Sequence, residues 1–366
     1  MQELLIGDPA PGIKLVEFVK GSPLADLEPG TVYVVELWGP SCGPCRESVP
    51  HLSELQDKYP QAIFLGVAVM QRSTEAVWAF VTDAGDQIRY RIAIEEPLAG
   101  RAGWWEGGWM TKHWFEASYQ RGVPAAFIVN QMGQIAWIGH PFELAEPLAA
   151  IIDGNWDLSA KTRTHREELA TNKVRERFRL RKGVNTALLA NDTAGAVSLI
   201  NEAFAAHPEF ELEREFRFNK LHALTCNTDS KPSALEYATY LIHDGQSDVR
   251  TLLSVSSMLL HAGPLSGEAM EEAPDKDFAK LALQTMLRIE ALFGQDSSSA
   301  SMTPHDWVQY EENFARALIA AGRAGEAFDH AQRAYGWGKE ADIPDAIKNE
   351  VLARIGKLVK QCQGSA

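Results

Sequence analysis

The chain has 366 residues, 45% hydrophobic and 23% charged, a globular composition with enough length for two cores of ordinary size. A formal net charge of -14 argues against sequence-independent nucleic-acid binding, because phosphate backbones attract basic surfaces. Four cysteines are too few for a disulfide scaffold, and no run of residues has the length and apolarity of a membrane span.

The segment Met1 to Pro9 lacks a basic and apolar leader pattern, so with Met1 as the start a cytoplasmic protein is expected; a periplasmic one would follow if a leader had been removed. Residues 7–31 are rich in glycine and proline around a short apolar segment, Ile13 to Val19, and are expected to pair with a sheet or cover it. The run Val32 to Leu37 is short and β-branched and reads as a buried strand, after which Val49, Leu52, Leu55 and Tyr59 recur at helical spacing. Between strand and helix stand Cys42-Gly43-Pro44-Cys45, with Cys42 in the first helical turn and Cys45 one turn further in. Unpaired N–H groups and a partial positive charge at a helix N-terminus favour thiolate over thiol, so Cys42 is the expected nucleophile. Cys45, less exposed, is placed to attack a mixed disulfide on Cys42 and resolve it. Gly43 permits close backbone approach, and Pro44 stiffens the turn where no N–H is needed. Two cysteines so spaced can also be half of a zinc site. Structural zinc needs four ligands, whereas Cys226 and Cys362 stand alone and none of the ten histidines forms an HxxxH-type pair, so no metal is expected.

Ala62 to Val69 is a continuous apolar run suited to a strand covered on both faces. Ser73 or Thr74 then caps a helix with Val77, Phe80 and Val81 inward, ended by Gly85. From Gln87, Ile88, Tyr90, Ile92 and Ile94 alternate with Arg89, Arg91 and Ala93, which predicts a strand with one polar face and completes a βαβαβ order. Residues 100–121 hold four of the ten tryptophans, Trp104, Trp105, Trp109 and Trp114, in a glycine-rich loop running into a short helix. They could form an aromatic platform near the dithiol or cap the sheet edge. Capping is the expectation for Trp114 and Phe115, and both readings stay open for Trp104 and Trp105. Pro124 precedes a strand over 125–129, which fits if the Val123–Pro124 bond is cis or the strand is just beginning. A hairpin leads into Ile135 to Gly139, and a helix from Glu143 to Ile152 closes the domain near Trp156.

Taken together, Trp38-x-x-x-Cys42-Gly43-Pro44-Cys45, the strand before it, the helix carrying Pro50 and the Gly122-Val123-Pro124 segment before a final hairpin resemble the thioredoxin fold. The likeness is closest to its TlpA/ResA-like branch of thiol–disulfide oxidoreductases, to which Gly108-Trp109-Met110 through Trp114 and Ile135 to Pro141 also conform. The resemblance implies an α/β domain over residues 1–158, a mixed sheet flanked by helices, in which Pro124 is a cis-proline facing the dithiol and Pro50 kinks the active-site helix. It implies that Val123 lends backbone groups to an extended substrate segment, with Trp38, Gly43 and Pro44 on the substrate side. It also places Glu36 as a buried acid beneath the dithiol, either shuttling the Cys45 proton or simply hydrogen-bonded at a strand end. Ser41 stands where thioredoxins carry a tryptophan, and Ser48 where ResA-like proteins carry a glutamate. The Gly-Pro dipeptide is that of reducing thioredoxins and implies a reductase of disulfide-containing proteins, served by an unidentified electron donor and needing no cofactor. The peroxiredoxin pattern Pro-x-x-x-Thr-x-x-Cys is missing around Cys42, which argues against a peroxidase.

After Trp156 the strand signals end, and residues 159–366 read as an all-α domain of helical hairpins. Residues 161–182 carry Arg163, Arg166, Arg175, Arg177, Arg179, Arg181 and Lys182 against Glu167, Glu168 and Glu176, which predicts a solvated helix or a docking patch for an acidic partner. Residues 191–204 and 321–334 resemble each other, each a small-residue turn leading into an alanine-rich helix, as in second helices of tetratricopeptide-type units. Leu221 to Cys226 and Phe314 to Ile319 would lie on first helices, and Thr303-Pro304 starts one. The spacing is irregular, hence TPR-like. Such stacks bind partners on a concave face, so the rival reading is a redox-sensing or scaffold protein whose helical half recruits a protein partner; a covering or dimerising domain is the plainer alternative. Cys226 and Cys362 read as small apolar residues.

Overall fold

The computed structural model describes residues 2–71, 73–100, 106–245, 247–262, 275–293, 302–341 and 345–364. Contacts divide the chain into two compact units, Met1–Phe178 and Arg179–Ala366.

The first unit is built on six strands: β1 (Leu15–Lys20), β2 (Val32–Trp38), β3 (Ala62–Ala68), β4 (Arg91–Glu95), β5 (Ala125–Val129) and β6 (Ile135–Gly139). They lie in the order β1-β4-β3-β2-β5-β6, with β2, β3 and β4 parallel and the other pairs antiparallel. The glycine- and proline-rich lead-in thus supplies an edge strand. β2 is paired on both sides, and its side chains alternate between the two sheet faces. Val34 and Trp38 share one face with the inward residues of helices α1 (Gly43–Lys58), α2 (Thr74–Ala84) and α3 (Ala145–Ile152), among them Val49, Leu52, Val77 and Leu148. Tyr33, Val35 and Leu37 face the other way, onto Leu4, Ile6, Ile13, Met110 and Trp114. Two covered faces explain why β2 and β3 are apolar without alternation. Each fully buried side chain of this kind is worth about 1.5–3 kcal/mol over an exposed one.

Two readings of this unit change. β4 begins at Arg91, and Ile88 and Tyr90 stand in the segment before it, although both are buried. The face that carries Arg91, Ala93 and Glu95 is covered, with Ala93 packed among the residues of the Trp114 layer and Glu95 buried. Trp114 and Phe115 pack on a sheet face together with Leu4, Ile6, Ile13 and Met110, from a π-helical turn over Thr111–Glu116. The Trp114 ring meets Phe127 edge-on at 5.3 Å, and its indole N–H donates to the Gly12 carbonyl at 3.1 Å. That layer lies across the sheet from α1, so neither ring makes a platform beside the dithiol. Trp104 and Trp105 lie outside the described residues.

The charged stretch 161–182 is not one solvated helix but two, α4 (Leu158–Thr171) and α5 (Val174–Leu189). The break falls at Asn172 and Lys173, where Lys173 takes a φ of 47°. Arg175 then forms a two-pronged pair with Glu3, at 2.6 and 2.7 Å, which ties the stretch to the start of the first unit.

In the second unit the chain continues through α6 (Thr193–Ala206), α7 (Arg214–Thr225), α8 (Lys231–His243), α9 (Val249–Leu260), α10 (Lys276–Phe293), α11 (Pro304–Ala320), α12 (Ala324–Glu340) and α13 (Asp345–Gly364). Successive helices pack on one another, and the unit is all-α among the described residues. The two mutually similar segments are α6 and α12 with their preceding turns, and the small residues Ala196, Ala327, Ala331 and Ala334 are buried as close helix packing requires. Thr303 caps α11 reciprocally with Asp306. Glu311 and Glu312 of α11 are buried yet paired, Glu311 with His330 and Arg333 of α12, Glu312 with Arg316 and with Arg354 of α13. Cys362 is buried in this core, and Cys226 is half-buried beside His222.

Candidate redox site

The site begins where β2 ends. Cys42 is the N-cap of α1 and Cys45 lies in its first turn, with the Cys45 N–H donating to Cys42 Sγ at 3.2 Å. The two sulfurs are joined in a disulfide across Cα atoms 5.2 Å apart. Cys42 is half-buried and Cys45 fully buried, so an incoming partner can reach only the former. Gly43 and Pro44 are exposed at the helix start, and Pro50, which can donate no hydrogen bond, lies inside the helix.

Against this helix start sits the segment before β5. The Val123–Pro124 peptide bond is cis, and the next residue, Ala125, is already in register with Leu37 of β2. The Val123 carbonyl oxygen lies 3.4 Å from Cys42 Sγ. In the disulfide that sulfur has no proton and the two atoms are merely in contact. In the dithiol form the Cys42 thiol can donate to the carbonyl. Trp38 is 2% exposed, and its indole packs 5.2 Å from the Phe80 ring in the core between the sheet and the helices.

Glu36 is 2% exposed in the layer between β2 and α1. Ser48 Oγ lies 2.9 Å from its Oε1, and the Tyr90 hydroxyl donates to its Oε2 at 3.2 Å. Gly66 stands opposite Glu36 in β3, and a Cβ there would come within 2.9 Å of Ile92 and 3.1 Å of the Tyr90 ring. Its missing side chain is what lets Tyr90 reach the acid. Burial pushes the Glu36 carboxyl up to about 7, against the pull of the bonds from Ser48 and Tyr90. Burial, and then the Glu36 charge, raise Tyr90 well above the ordinary tyrosine value, so it stays a donor.

The sequence marked Cys42, Cys45, Glu36, Val123 and Pro124, and the fold gathers all five at one end of β2. In the sequence, Ser48 is notable only for lacking a carboxylate, and Tyr90 reads only as a strand residue. Ser48 follows Cys45 by three residues on the buried side of α1, a helical spacing that could have revealed it. Tyr90, 54 residues from Glu36, carries no local signal. A second buried acid, Glu95, has no local sequence signal either. It accepts from the backbone of Met70 and Thr111 and from the Thr111 hydroxyl, at 2.8–2.9 Å, and fastens the segment after β3 and the start of the π-helical turn to the end of β4. Among the described residues no three histidine, cysteine or acidic side chains come together as metal ligands do.

No protein-family model matches the chain. Protein FixW of Rhizobium leguminosarum is 31% identical over 210 residues, 56% of this chain and 93% of that protein. Among solved structures, a thiol-disulfide isomerase from Corynebacterium glutamicum is 21% identical, with a TM-score of 0.33 over 39% of this chain and 95% of its own. The thioredoxin domain of a thiol-disulfide oxidoreductase from Bacteroides vulgatus is 19% identical, with a TM-score of 0.32 over 40% and 97%. A disulfide between Cys42 and Cys45 at a helix start, the sheet that presents it and the match to nearly all of Protein FixW make the chain a member of the thioredoxin-like thiol–disulfide oxidoreductases.

Proposed function

We propose that the protein reduces disulfides in other proteins by dithiol–disulfide exchange. The Cys42 thiolate attacks one sulfur of the substrate disulfide, and the other sulfur leaves as a thiolate that takes up a proton. Cys45 gives its proton to Glu36 and attacks Cys42 Sγ, releasing the second substrate thiol and leaving the Cys42–Cys45 disulfide. Two electrons have then passed to the substrate, and a dithiol donor restores the pair.

The observation that carries this reading is the asymmetry of the two sulfurs. Cys42 is reachable at the start of a helix, whereas Cys45 is sealed behind it, its carbonyl joined through Ser48 to a buried acid. The helix start favours the anion that must attack, and the sealed sulfur can react only with what is already attached to Cys42. The Val123 backbone beside Cys42 offers an extended substrate chain hydrogen-bonding groups, and the exposed Gly43 and Pro44 leave room for it.

The test is insulin disulfide cleavage by the full chain, supplied with dithiothreitol or a thioredoxin reductase. Wild type should turn over and Cys42→Ser should not. A Cys42→Ser protein with the wild-type rate would overturn the assignment.

A further inference from the structure

Ser48 is wholly buried, and its Oγ lies 2.9 Å from Glu36 Oε1 and 2.8 Å from the Cys45 carbonyl oxygen. A hydroxyl has one proton to give, and a carbonyl oxygen only accepts. Ser48 cannot donate along both contacts, so the charge on Glu36 decides between them. With Glu36 ionised, Ser48 donates to the carboxylate. With Glu36 protonated, the acid donates to Ser48 Oγ, and Ser48 turns its own proton to the Cys45 carbonyl. Tyr90 donates to the other carboxyl oxygen in either state.

We propose that Ser48 is a positioning residue of the redox site, its hydroxyl turning between Glu36 and the Cys45 backbone as Glu36 loses and gains its proton. Both charge states of the buried acid are thereby hydrogen-bonded. Glu36 is bonded by Tyr90 before β4 and by Ser48 of α1, which also reaches the Cys45 backbone, and its register partners are Gly66 of β3 and Ala126 of β5. Of these only Tyr90 and, in the reduced state, Cys45 titrate, and no lysine, arginine or histidine is among the hydrogen-bond partners of the acid. Two neutral donors are therefore all that stabilises the carboxylate, which is why losing one is felt. The proposal rests on Glu36 accepting the Cys45 proton. In that step the Cys45 S–H bond breaks, a Glu36 O–H bond forms and the Ser48 proton swings to the Cys45 carbonyl, with no electron transferred.

Carboxyl carbon NMR of the oxidised full chain, with Glu36→Gln to assign the resonance, reads the acid without turnover. Wild type should titrate at about 7. Ser48→Ala should move the midpoint up by about one pH unit, the amount by which the bond to the charged acid outweighs the bond made to the protonated one. Ser48→Thr, which keeps the hydroxyl, should stay at the wild-type value, and Tyr90→Phe should move upward as well. A merely structural serine would lower stability without moving the midpoint. A Ser48→Ala midpoint equal to or below wild type would overturn the proposal. Should Ser48→Ala not fold, Ser48→Cys, whose thiol is a weak donor, should show the same rise, and its failure to do so would overturn it equally. Loss of insulin reduction by wild type would sink the proposed function while leaving the titration result standing. An unmoved midpoint with insulin reduction intact would sink only the role of Ser48.

Discussion

Replacing Glu36 by glutamine should make the redox unit more stable, by an amount that depends on pH in a defined way. The carboxyl titrates at about 7 in the folded protein against an ordinary value of 4.5, a difference worth roughly 3 kcal/mol. Between those two pH values the unfolded chain has lost the Glu36 proton and the folded chain still holds it. The native state then binds more protons, so stability falls as pH rises and the full penalty is reached above pH 7 or so. Glutamine has the same shape and no proton to lose, and it can still donate to Ser48 and accept from Tyr90. The advantage of Glu36→Gln over wild type should therefore grow by about 3 kcal/mol between pH 4 and pH 8 and then level off. Native-state hydrogen exchange of the β2 amides in the oxidised full chain reads the stability of this unit. An advantage that stays constant with pH, or shrinks as pH rises, would refute the burial argument for Glu36.

Two further outcomes follow from the packing. Trp114→Ala removes a fully buried ring from the second sheet face and should cost the first unit about 3–5 kcal/mol in urea unfolding, while the Cys42–Cys45 pair across the sheet still forms. Glu312→Gln removes the charge shared by Arg316 and Arg354 and should cost the helical unit about 2 kcal/mol at pH 7, less than a fully buried pair because Arg354 is 42% exposed. Burial raises the Glu312 carboxyl, but Arg354 and Arg316 hold it below its ordinary value of 4.5 on balance, so its contribution is present above that pH and lost below it. Acid titration of helical circular dichroism should accordingly show wild type and Glu312→Gln converging at low pH.

Much of the redox site is legible because its parts are local or tied to one strand. A β-branched run, two cysteines one helical turn apart and an acid six residues before the first of them all lie within residues 32–45. What supports that acid is not local. The Tyr90–Glu36 bond depends on β3 lying between β2 and β4 and on Gly66 leaving space there, which no sequence period encodes. Trp114 reads as buried from its type, but its sheet face depends on where α1, α2 and α3 settle. The charged stretch misleads for a different reason. Its break at Asn172 and Lys173 contains neither glycine nor proline, and Glu3, the partner of Arg175, sits at the far end of the chain. The alanine-rich helices of the second unit are plain from composition, whereas the buried Glu311 and Glu312 look like ordinary surface residues until α12 and α13 are in place.

The central claim is that Cys42 attacks and Cys45 resolves, and trapping tests it most directly. The reduced Cys45→Ser protein, incubated with insulin and mapped by peptide mass spectrometry, should hold an insulin chain on Cys42 through a bond that dithiothreitol releases. Cys42→Ser should hold none at Cys45. Insulin captured on Cys45 of the Cys42→Ser protein, or found only on Cys226 or Cys362, would contradict the account.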